Sequence, residues 1–251
     1  PLRREDGWRI DTDRLSAAVR SVRYDLVVVV NPNNPTGRHA PAAGLRALIE
    51  AAPGRTHWWI DEAYLGYVGQ DESLAGLAAT DPRVTVCTSL SKMYALSGLR
   101  AAYAVAEPST TAAELRRWTP PWPVGLPAQM AAVAALRDPE YYRDRWLATH
   151  ALRGRLAADL AGAARDVTVE ESVANFLNLT LPPGGPSAAR LVDECRRHGV
   201  YLRDLSPLSP RYEGRTVRVA VRDTAENARI VAACRTALEV LMPMSATGTA
   251  R

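Results

Sequence analysis

Short apolar segments alternate with longer amphipathic ones along the first half of the chain. The β-branched run DLVVVV (Asp25–Val30) ends at NPNNPTG, a dense turn signal, so we predict a buried strand followed by a loop. The pattern predicts a helix in APAAGLRALIEAAPG and further strands in THWWIDEAY, VTVCTSLSK and AAYAVAEP. Strands that alternate with helices predict an α/β fold with a mainly parallel sheet.

The second half of the chain has a different pattern. From Asp138 to Gly162 the spacing predicts one long helix, with Gly154 as its weak point. Thr224 is the expected cap of the last helix. Strands are predicted in VTVEESVANFLNLTL, VYLRDL and TVRVAVR, helices in SAARLVDECRRHG and TAENARIVAACRTALEVL, and a frayed tail in PMSATGTAR. We therefore predict two domains, residues 1–150 and a smaller α/β domain over 151–251.

Composition excludes several classes of function. The chain has 251 residues, of which 47% are hydrophobic, so it can bury a large core. The net charge is only +4 and the arginines alternate with acidic residues, so no nucleic-acid surface is predicted. The cysteines and histidines show no disulfide or metal-ligand spacing. Since no signal peptide and no membrane-length apolar run is present, we expect a cytoplasmic protein with no membrane partner.

The stretch TSLSKMYALSGLR contains the only lysine, Lys92, among 31 lysines and arginines. A guanidinium stays protonated, whereas a primary amine can lose its proton and attack a carbonyl to form a Schiff base. The alternative is a surface lysine that has no chemical role. The neighbours favour chemistry, because Asn34 follows the first predicted strand and Asp61 ends the second. Ligands of parallel sheets bind at the carboxyl ends of the strands.

The other polar residues near Lys92 indicate what such a ligand carries. An amine nucleophile indicates a carbonyl cofactor, and the hydroxyls of Ser89 and Ser91 with the guanidinium of Arg100 indicate a phosphate close to that carbonyl. The Asp61 carboxylate favours a cationic ring nitrogen.

An amide at Asn34 and a phenol at Tyr64 can hydrogen-bond a ring oxygen. Pyridoxal phosphate carries all of these features: an aldehyde, a phosphate, a pyridinium nitrogen and a phenolic oxygen. The residues therefore predict this cofactor.

Three motifs carry a family resemblance. NPNNPTG, DEAY and SLSKMYALSGLR resemble, in order and separation, the signatures of the class I/II, fold-type I aminotransferases that depend on pyridoxal phosphate. The histidinol-phosphate aminotransferase-like branch is the nearest match, and the similarity runs from about Gly7 to Val240. The resemblance implies a fold-type I transferase of amino-acid metabolism and biosynthesis. It also implies a large cofactor domain in 1–150, a small domain in 151–251 and a homodimer with shared active sites.

The resemblance implies a role for each residue near the lysine. Lys92 would hold the cofactor as an aldimine and then move a proton to and from the substrate α-carbon. The other cofactor contacts would come from Asp61 at the ring nitrogen, Asn34 and Tyr64 at the phenolic oxygen, and Ser89, Ser91 and Arg100 at the phosphate. The alternatives are that Ser91 is only a loop residue and Tyr64 only a packing residue. A cis bond is expected at Asn34–Pro35.

Three residues of the second half would bind substrate. TVRVAV resembles the family segment whose arginine binds the substrate α-carboxylate, which implies this role for Arg218. VYLRDL resembles the segment that carries a second anion-binding arginine, here Arg203, and Asn175 in VANFLNL lies on a matching strand and would line the pocket. The alternative for Arg218 is a solvated side chain on an edge strand.

Family members carry roughly a further third of chain ahead of the point where this sequence begins. We therefore expect the 251 residues to be incomplete, to retain pyridoxal phosphate weakly and to show little turnover alone. The implied reaction transfers an amino group between an amino acid, possibly phosphorylated, and a 2-oxo acid or ketone. One alternative is decarboxylation, because PPWPVGLPAQMAAVAAL is similar to a segment of threonine-phosphate decarboxylases. Another is a non-catalytic aminotransferase-like regulatory domain.

Overall fold

The computed structural model describes residues 2–242, which divide into two compact units. The first unit is the chain up to Asn34 together with Arg38–Leu147, and the second is Pro35–Gly37 together with the chain from Ala148 onward. The stretch PMSATGTAR, predicted to be a frayed tail, lies outside the described residues. No sequence pattern indicates that Pro35–Gly37 belongs with the second unit.

The first unit is built on a four-stranded sheet in the order β1-β2-β3-β4. Its elements are α1 (Thr12–Ser21), β1 (Leu26–Val30), α2 (Ala42–Glu50), β2 (His57–Asp61), α3 (Ala75–Ala78), β3 (Val84–Ser89), β4 (Ala102–Ala106), α4 (Thr111–Trp118), α5 (Leu126–Leu136) and the start of α6 (Pro139–Ala161). Strands β1, β2 and β3 pair in parallel. The predicted α/β fold with a mainly parallel sheet is therefore confirmed.

Strand β4 departs from the parallel arrangement. It pairs antiparallel to β3, with Ser89 opposite Ala102. A parallel neighbour requires a crossover segment, usually a long helix. The chain between β3 and β4 contains only one short 3-10 turn at Ser97–Leu99, so the strand runs back alongside its predecessor.

The core of the first unit lies between the sheet and its helices. Apolar side chains of β2 and β3 alternate between the two faces of the sheet, and those that reach the helices are buried. Members of this core include Val29, Leu45, Leu48, Ile49, Trp58, Ile60, Leu74, Leu77, Val84 and Val86. Helix α1 begins where the Asp11 carboxylate accepts the Arg14 N–H at 2.9 Å, which is a normal N-terminal cap.

The second unit contains an antiparallel sheet in the order β5-β6-β8-β7. Its elements after α6 are β5 (Thr168–Glu170), β6 (Phe176–Thr180), α7 (Ala188–Arg197), β7 (Arg203–Asp204), β8 (Thr216–Ala220) and α8 (Thr224–Leu241). The helices cover one face of this sheet. The core there includes Leu156, Leu160, Leu177, Leu179, Leu191, Cys195, Val217, Val219, Cys234 and Leu238.

Several predicted elements of the second unit need correction. VTVEESVANFLNLTL forms two paired strands rather than one, and the strand predicted in VYLRDL is reduced to Arg203–Asp204, because Leu205 leads into a 3-10 turn at Ser206–Leu208. The cap of α8 is Asp223, whose carboxylate accepts the Glu226 N–H at 2.9 Å, and not Thr224.

Helix α6 is continuous through Gly154, so the predicted weak point does not interrupt it. None of the helices within residues 2–242 is long and apolar enough to cross a membrane.

The Pro35–Gly37 turn yields a prediction about stability. Gly37 has φ +68°, its carbonyl accepts the Val173 N–H at 2.8 Å, and a Cβ there would lie 2.0 Å from Ser172 Oγ. A left-handed conformation costs a non-glycine residue about 1–2 kcal/mol. We expect Gly37→Ala to lower the free energy of unfolding by about 2 kcal/mol or more, measured by urea denaturation.

Gly44 offers a matched control in helix α2. Its added Cβ would meet nothing closer than 3.7 Å, and alanine in a helix is favoured over glycine by about 0.5–1 kcal/mol. Gly44→Ala should therefore be neutral or stabilising. Equal stability of the two variants would contradict the assignment of strain and crowding to Gly37.

Candidate functional site

Parallel pairing brings the carboxyl ends of β1, β2 and β3 to one edge of the first sheet. In the register, Val30 lies beside Asp61, and Asp61 beside Cys87. The ladder continues one residue further, because the Asn31 N–H donates to the Asp61 carbonyl at 2.9 Å and the Glu62 N–H to the Cys87 carbonyl at 2.8 Å. The loops that follow the three strands therefore begin side by side.

The loop after β1 is fixed at Asn31. Its side chain donates to the Ala40 carbonyl at 2.9 Å and accepts the Ala40 N–H at 2.8 Å, which closes the loop. The cis peptide bond joins Asn31 and Pro32, so the prediction of a cis bond at Asn34–Pro35 is wrong. The sequence offers two Asn-Pro pairs, and the one at the strand end, whose Asn is fixed by Ala40, adopts the cis form.

Asn34 and Tyr64 lie together, as their predicted shared role requires. The Asn34 Nδ2 atom is 3.5 Å from the Tyr64 hydroxyl oxygen, at the long end of hydrogen-bond distances. The Tyr64 side chain is buried and 4% exposed, whereas Asn34 is exposed. The pair thus combines a ring held in the core with an accessible amide.

Asp61 occupies the last position of β2 and is half-buried. Its Oδ1 atom accepts the Ala63 N–H at 2.9 Å, which orients the carboxylate across the following turn. The carboxylate also acts on its neighbour in the sheet, since burial raises the pKa of the Cys87 thiol and the Asp61 charge raises it further. A half-buried carboxylate at this edge can pair with a cationic group of a ligand.

Glu62 is a buried carboxyl group whose role sequence reasoning missed. Its Oε1 atom accepts the Leu74 N–H and its Oε2 atom accepts the Ser73 hydroxyl, both at 2.7 Å. These bonds hold the start of α3 against the turn that carries Asp61 and Tyr64. The signal was available in DEAY, where an acidic residue directly follows Asp61 inside an otherwise apolar segment.

Lys92 lies in the turn after β3, and the two serines before it are less deeply buried than the two residues that follow it. Ser89 and Ser91 are half-buried, and the Ser91 N–H donates to Ser89 Oγ at 3.3 Å. The Lys92 side chain is exposed, whereas the next residues, Met93 and Tyr94, are buried. The turn therefore presents its amine outward from a fixed base.

Arg100 ends this turn in the left-handed conformation, with φ 56°. Its guanidinium is exposed and donates to the Ser97 carbonyl at 3.0 Å. Among the described hydrogen bonds none joins Arg100 to Ser89 or Ser91, so the structure places these predicted phosphate ligands at the end of β3 and on the turn that follows it, without linking them directly.

The second unit places its two predicted arginines side by side. Arg203 of β7 pairs with Arg218 of β8, which in turn pairs with Asn178 of β6, so all three lie on one face of the sheet. The Arg218 guanidinium lies 5.0 Å from the centre of the Phe176 ring. Strand β8 is flanked by β6 and β7, so the alternative of an edge strand for Arg218 is wrong.

Two asparagines near β6, Asn178 and Asn175, were not predicted correctly from the sequence. Asn178, which sequence reasoning missed, is 2% exposed, and neither of its amide atoms has a hydrogen-bond partner among the described residues. The sequence feature that could have indicated Asn178 is its position as a polar residue between two leucines in FLNLT. Asn175 does not lie on a strand but directly before β6, and its carbonyl accepts the Val221 N–H at 2.9 Å.

Comparison with known proteins gives one family. The model of the family described as aminotransferase class I and II matches residues 1–233. The aromatic amino acid aminotransferase of Rhodococcus erythropolis is 35% identical over 217 residues, which cover 86% of this chain and 57% of that protein. The chain spans 51–61% of the length of eight curated relatives that it matches over most of its own length.

Solved structures agree with this result. The histidinol-phosphate aminotransferase of Sinorhizobium meliloti, in complex with pyridoxal 5'-phosphate, superimposes with a TM-score of 0.81 at 28% identity, over 93% of this chain and 62% of that chain. A decarboxylase of Sulfurospirillum multivorans gives a TM-score of 0.80 at 26% identity, over 96% of this chain and 68% of that chain. These likenesses confirm the predicted fold class and the resemblance carried by the three motifs.

The buried Glu62 carboxyl generates a prediction about pH. Burial raises its pKa above the ordinary 4.5, against the opposing effect of the Leu74 and Ser73 hydrogen bonds. The folded protein therefore binds this proton more tightly than the unfolded chain, so stability falls as pH rises from the ordinary to the raised pKa. Glu62→Gln, which resembles the neutral acid, should gain stability relative to wild type as pH rises above the ordinary carboxyl pKa of 4.5, measured by urea unfolding.

Glu107 provides a control of opposite sign. Its exposed carboxylate accepts hydrogen bonds from Ser109 and Thr110, which lower its pKa to about 2. Here the unfolded chain binds the proton more tightly, so stability is lost as pH falls. Glu107→Gln should be less stable than wild type at neutral pH, and the difference should vanish towards about pH 2. The same pH trend in both variants would contradict the role assigned to burial at Glu62.

Proposed function

The chain belongs to the aminotransferase class I and II family, and we propose that the full-length protein transfers an amino group between an amino acid and a 2-oxo acid or ketone, with pyridoxal 5'-phosphate as cofactor. One observation carries the proposal. The only lysine of the sequence, Lys92, follows β3 at the sheet edge where Asp61 ends β2. An amine and a carboxylate at the carboxyl edge of a parallel sheet form a binding site for this class of ligand.

The donor groups present fit the cofactor. Lys92 supplies a primary amine for the aldehyde, and the Asp61 carboxylate supplies a partner for the ring nitrogen. The remaining groups are the Asn34–Tyr64 pair for the phenolic oxygen and Ser89, Ser91 and Arg100 for the phosphate. When bound, pyridoxal phosphate supplies an electron sink for the electron pair released at the substrate α-carbon.

Asp61 and Lys92 would act in different ways. The Asp61 carboxylate keeps a proton on the ring nitrogen, because an opposite charge within a few ångströms favours the charged form of both partners. Its bond from the Ala63 N–H holds the carboxylate in place for this task. The Lys92 amine would hold the cofactor and would move a proton to and from the substrate α-carbon. Its exposure in the structure is consistent with a group that must be reached by substrate.

The paired arginines support binding of an anionic substrate. Like charges directly opposite one another across two strands destabilise a sheet. Arg203 and Arg218 occupy such opposite positions, and an anion is the ligand that relieves their repulsion. We propose that Arg218 binds the substrate α-carboxylate, that Arg203 binds a second anionic group, such as a phosphate or carboxylate, and that Asn175 contributes to substrate binding.

Decarboxylation of an amino acid is the second candidate. It is favoured by the likeness to the decarboxylase of Sulfurospirillum multivorans, at a TM-score of 0.80. The same residues would hold the cofactor in either reaction. The choice depends on which bond of the substrate α-carbon lies perpendicular to the cofactor ring.

Three further assignments stay predictions. We propose a homodimer with shared active sites, a cytoplasmic location and domains over residues 1–150 and 151–251. Because the chain spans only part of the length of its relatives, the experiments use the full-length protein. If the protein instead had a regulatory, non-catalytic role, it would bind the cofactor but would not turn over substrate.

Lys92→Arg tests the covalent role of the amine. Arginine keeps the positive charge and forms no imine, so borohydride reduction should no longer fix pyridoxal on the peptide that contains position 92, as analysed by mass spectrometry. Amino transfer should fall by at least about 100-fold.

Adding Arg55→Lys to that variant provides the control, because Arg55 is exposed and returns a lysine to the surface. Fixation at position 55, or continued fixation elsewhere in Lys92→Arg, would mean that the wild-type reaction does not require the turn after β3.

Substrate labelled in its carboxyl carbon distinguishes the two reactions. In a single turnover, amino transfer keeps the label in the 2-oxo acid, whereas decarboxylation releases it as carbon dioxide. We expect retention of the label together with formation of the aminated cofactor. Stoichiometric release of labelled carbon dioxide would replace the proposed reaction by the second candidate.

A further inference from the structure

The residue after Lys92 is attached to helix α6. The indole Nε1–H of Trp146 donates to the Met93 carbonyl at 2.9 Å. Both side chains are buried, with Met93 5% and Trp146 9% exposed. A hydrogen bond in such surroundings is shielded from water, so its donor is not readily replaced by solvent. Helix α6 thus holds the peptide unit that directly follows the lysine.

Gly66 closes the same contact from the loop after β2. Its N–H points at the Met93 sulfur, and an added Cβ would lie 2.8 Å from that sulfur and 2.9 Å from the Trp146 ring. The close approach requires glycine, because any side chain would displace one of the two residues. Met93 is therefore enclosed by the Gly66 backbone on one side and the Trp146 indole on the other.

Tyr94 extends the attachment to a second residue of the turn. Its ring meets Trp146 edge-on, with 5.7 Å between centroids and an interplanar angle of 85°, and it meets Tyr142, one helical turn earlier in α6, at 4.7 Å. Edge-on aromatic pairs at these separations are attractive beyond the area they bury. Two consecutive residues after Lys92 are thus held by one face of α6.

The remaining hydrogen bonds of the turn do not fix Lys92 itself. The Leu90 N–H donates to the Ala101 carbonyl and the Leu96 N–H to the Leu90 carbonyl, both at 3.1 Å, which closes the base of the turn. Within residues 2–242 the Lys92 carbonyl accepts one hydrogen bond, a long one from the Ala95 N–H at 3.4 Å, and the Lys92 side chain is exposed. The position of the Lys92 backbone therefore depends on the attachment at Met93.

We propose that Trp146 is a positioning residue for the reaction: its indole N–H, through the Met93 carbonyl, fixes the backbone from which the Lys92 amine reaches the cofactor aldehyde. This inference rests on the proposed role of Lys92. It adds a residue from outside the three sequence motifs, located on a helix distant in sequence. Reaction geometry depends on such support, because a reactive group displaced by even a fraction of an ångström loses rate.

Trp146→Phe in the full-length protein removes the N–H donor and keeps an aromatic ring. We expect the rate at which pyridoxal phosphate becomes fixable by borohydride on the Lys92 peptide to fall about five- to tenfold, the effect of one hydrogen bond. Without cofactor, hydrogen exchange of backbone amides in the 90–101 segment should rise by at least about tenfold. The second measurement does not depend on any activity.

Trp58→Phe is the matched control. Trp58 is 1% exposed in the same unit, and its indole nitrogen has no hydrogen-bond partner among the described residues, so the same substitution there removes packing and no donor. The control should leave fixation within about twofold of wild type and exchange in the 90–101 segment unchanged.

The proposal is overturned if Trp146→Phe fixes pyridoxal at the wild-type rate, or if Trp58→Phe slows fixation equally. Should Trp146→Phe fail to fold, benzothienylalanine at position 146 keeps the bicyclic shape and lacks only the N–H. If wild type itself fixes no pyridoxal at Lys92, the proposed function fails. In that case unchanged exchange in the variant refutes the attachment, and raised exchange supports it, independently of the cofactor.

Discussion

The candidate site depends on the parallel pairing of β1, β2 and β3. The backbone bonds from Asn31 to Asp61 and from Glu62 to Cys87 extend this pairing past the last strand residues. A shift of register by one residue would turn Asp61 to the opposite face of the sheet and bury an unpaired carboxylate. The apolar side chains of the same strands resist such a shift, since Trp58 and Ile60 occupy the core on the alternate positions. The core that stabilises the unit thus also sets the position of its polar edge.

Two accessible groups of this edge, Asp61 and Lys92, are each followed in sequence by a buried residue. Asp61 is followed by Glu62, whose two hydrogen bonds hold the start of α3, and Lys92 is followed by Met93, enclosed by neighbouring elements. A side chain that must meet a ligand contributes little packing of its own. Its position has to come from the residue beside it, because a single peptide unit transmits orientation with little freedom.

Much of the fold was predictable from local patterns. The four strands of the first unit and the long helix α6 follow from apolar runs and turn signals, and the motifs predicted where Asn34, Asp61 and Lys92 would lie. The direction of β4 was not predictable in this way, because it depends on the absence of a crossover helix between β3 and β4. Local patterns also placed Asn175 on a strand, although it lies directly before β6, since one continuous polar and apolar alternation does not show where a strand begins. The choice between the two Asn-Pro bonds depends on the tertiary contact of Asn31 with Ala40.

Contacts distant in sequence explain why the motifs were an incomplete description of the site. Trp146 and Met93 are joined across more than fifty positions, and neither carries a polar signal in its own segment. In this arginine-rich chain, the local surroundings of position 92 likewise do not explain why it carries a lysine. A guanidinium there would preserve charge and solubility, and it would satisfy the exposed position equally well, so packing does not require lysine. The proposed reaction would require it, because an amine can form an imine and a guanidinium cannot. In that proposal Asp61 would be the partner of a cationic ring, and the peptide at Met93 would hold the backbone from which the amine reaches the carbonyl attached to that ring.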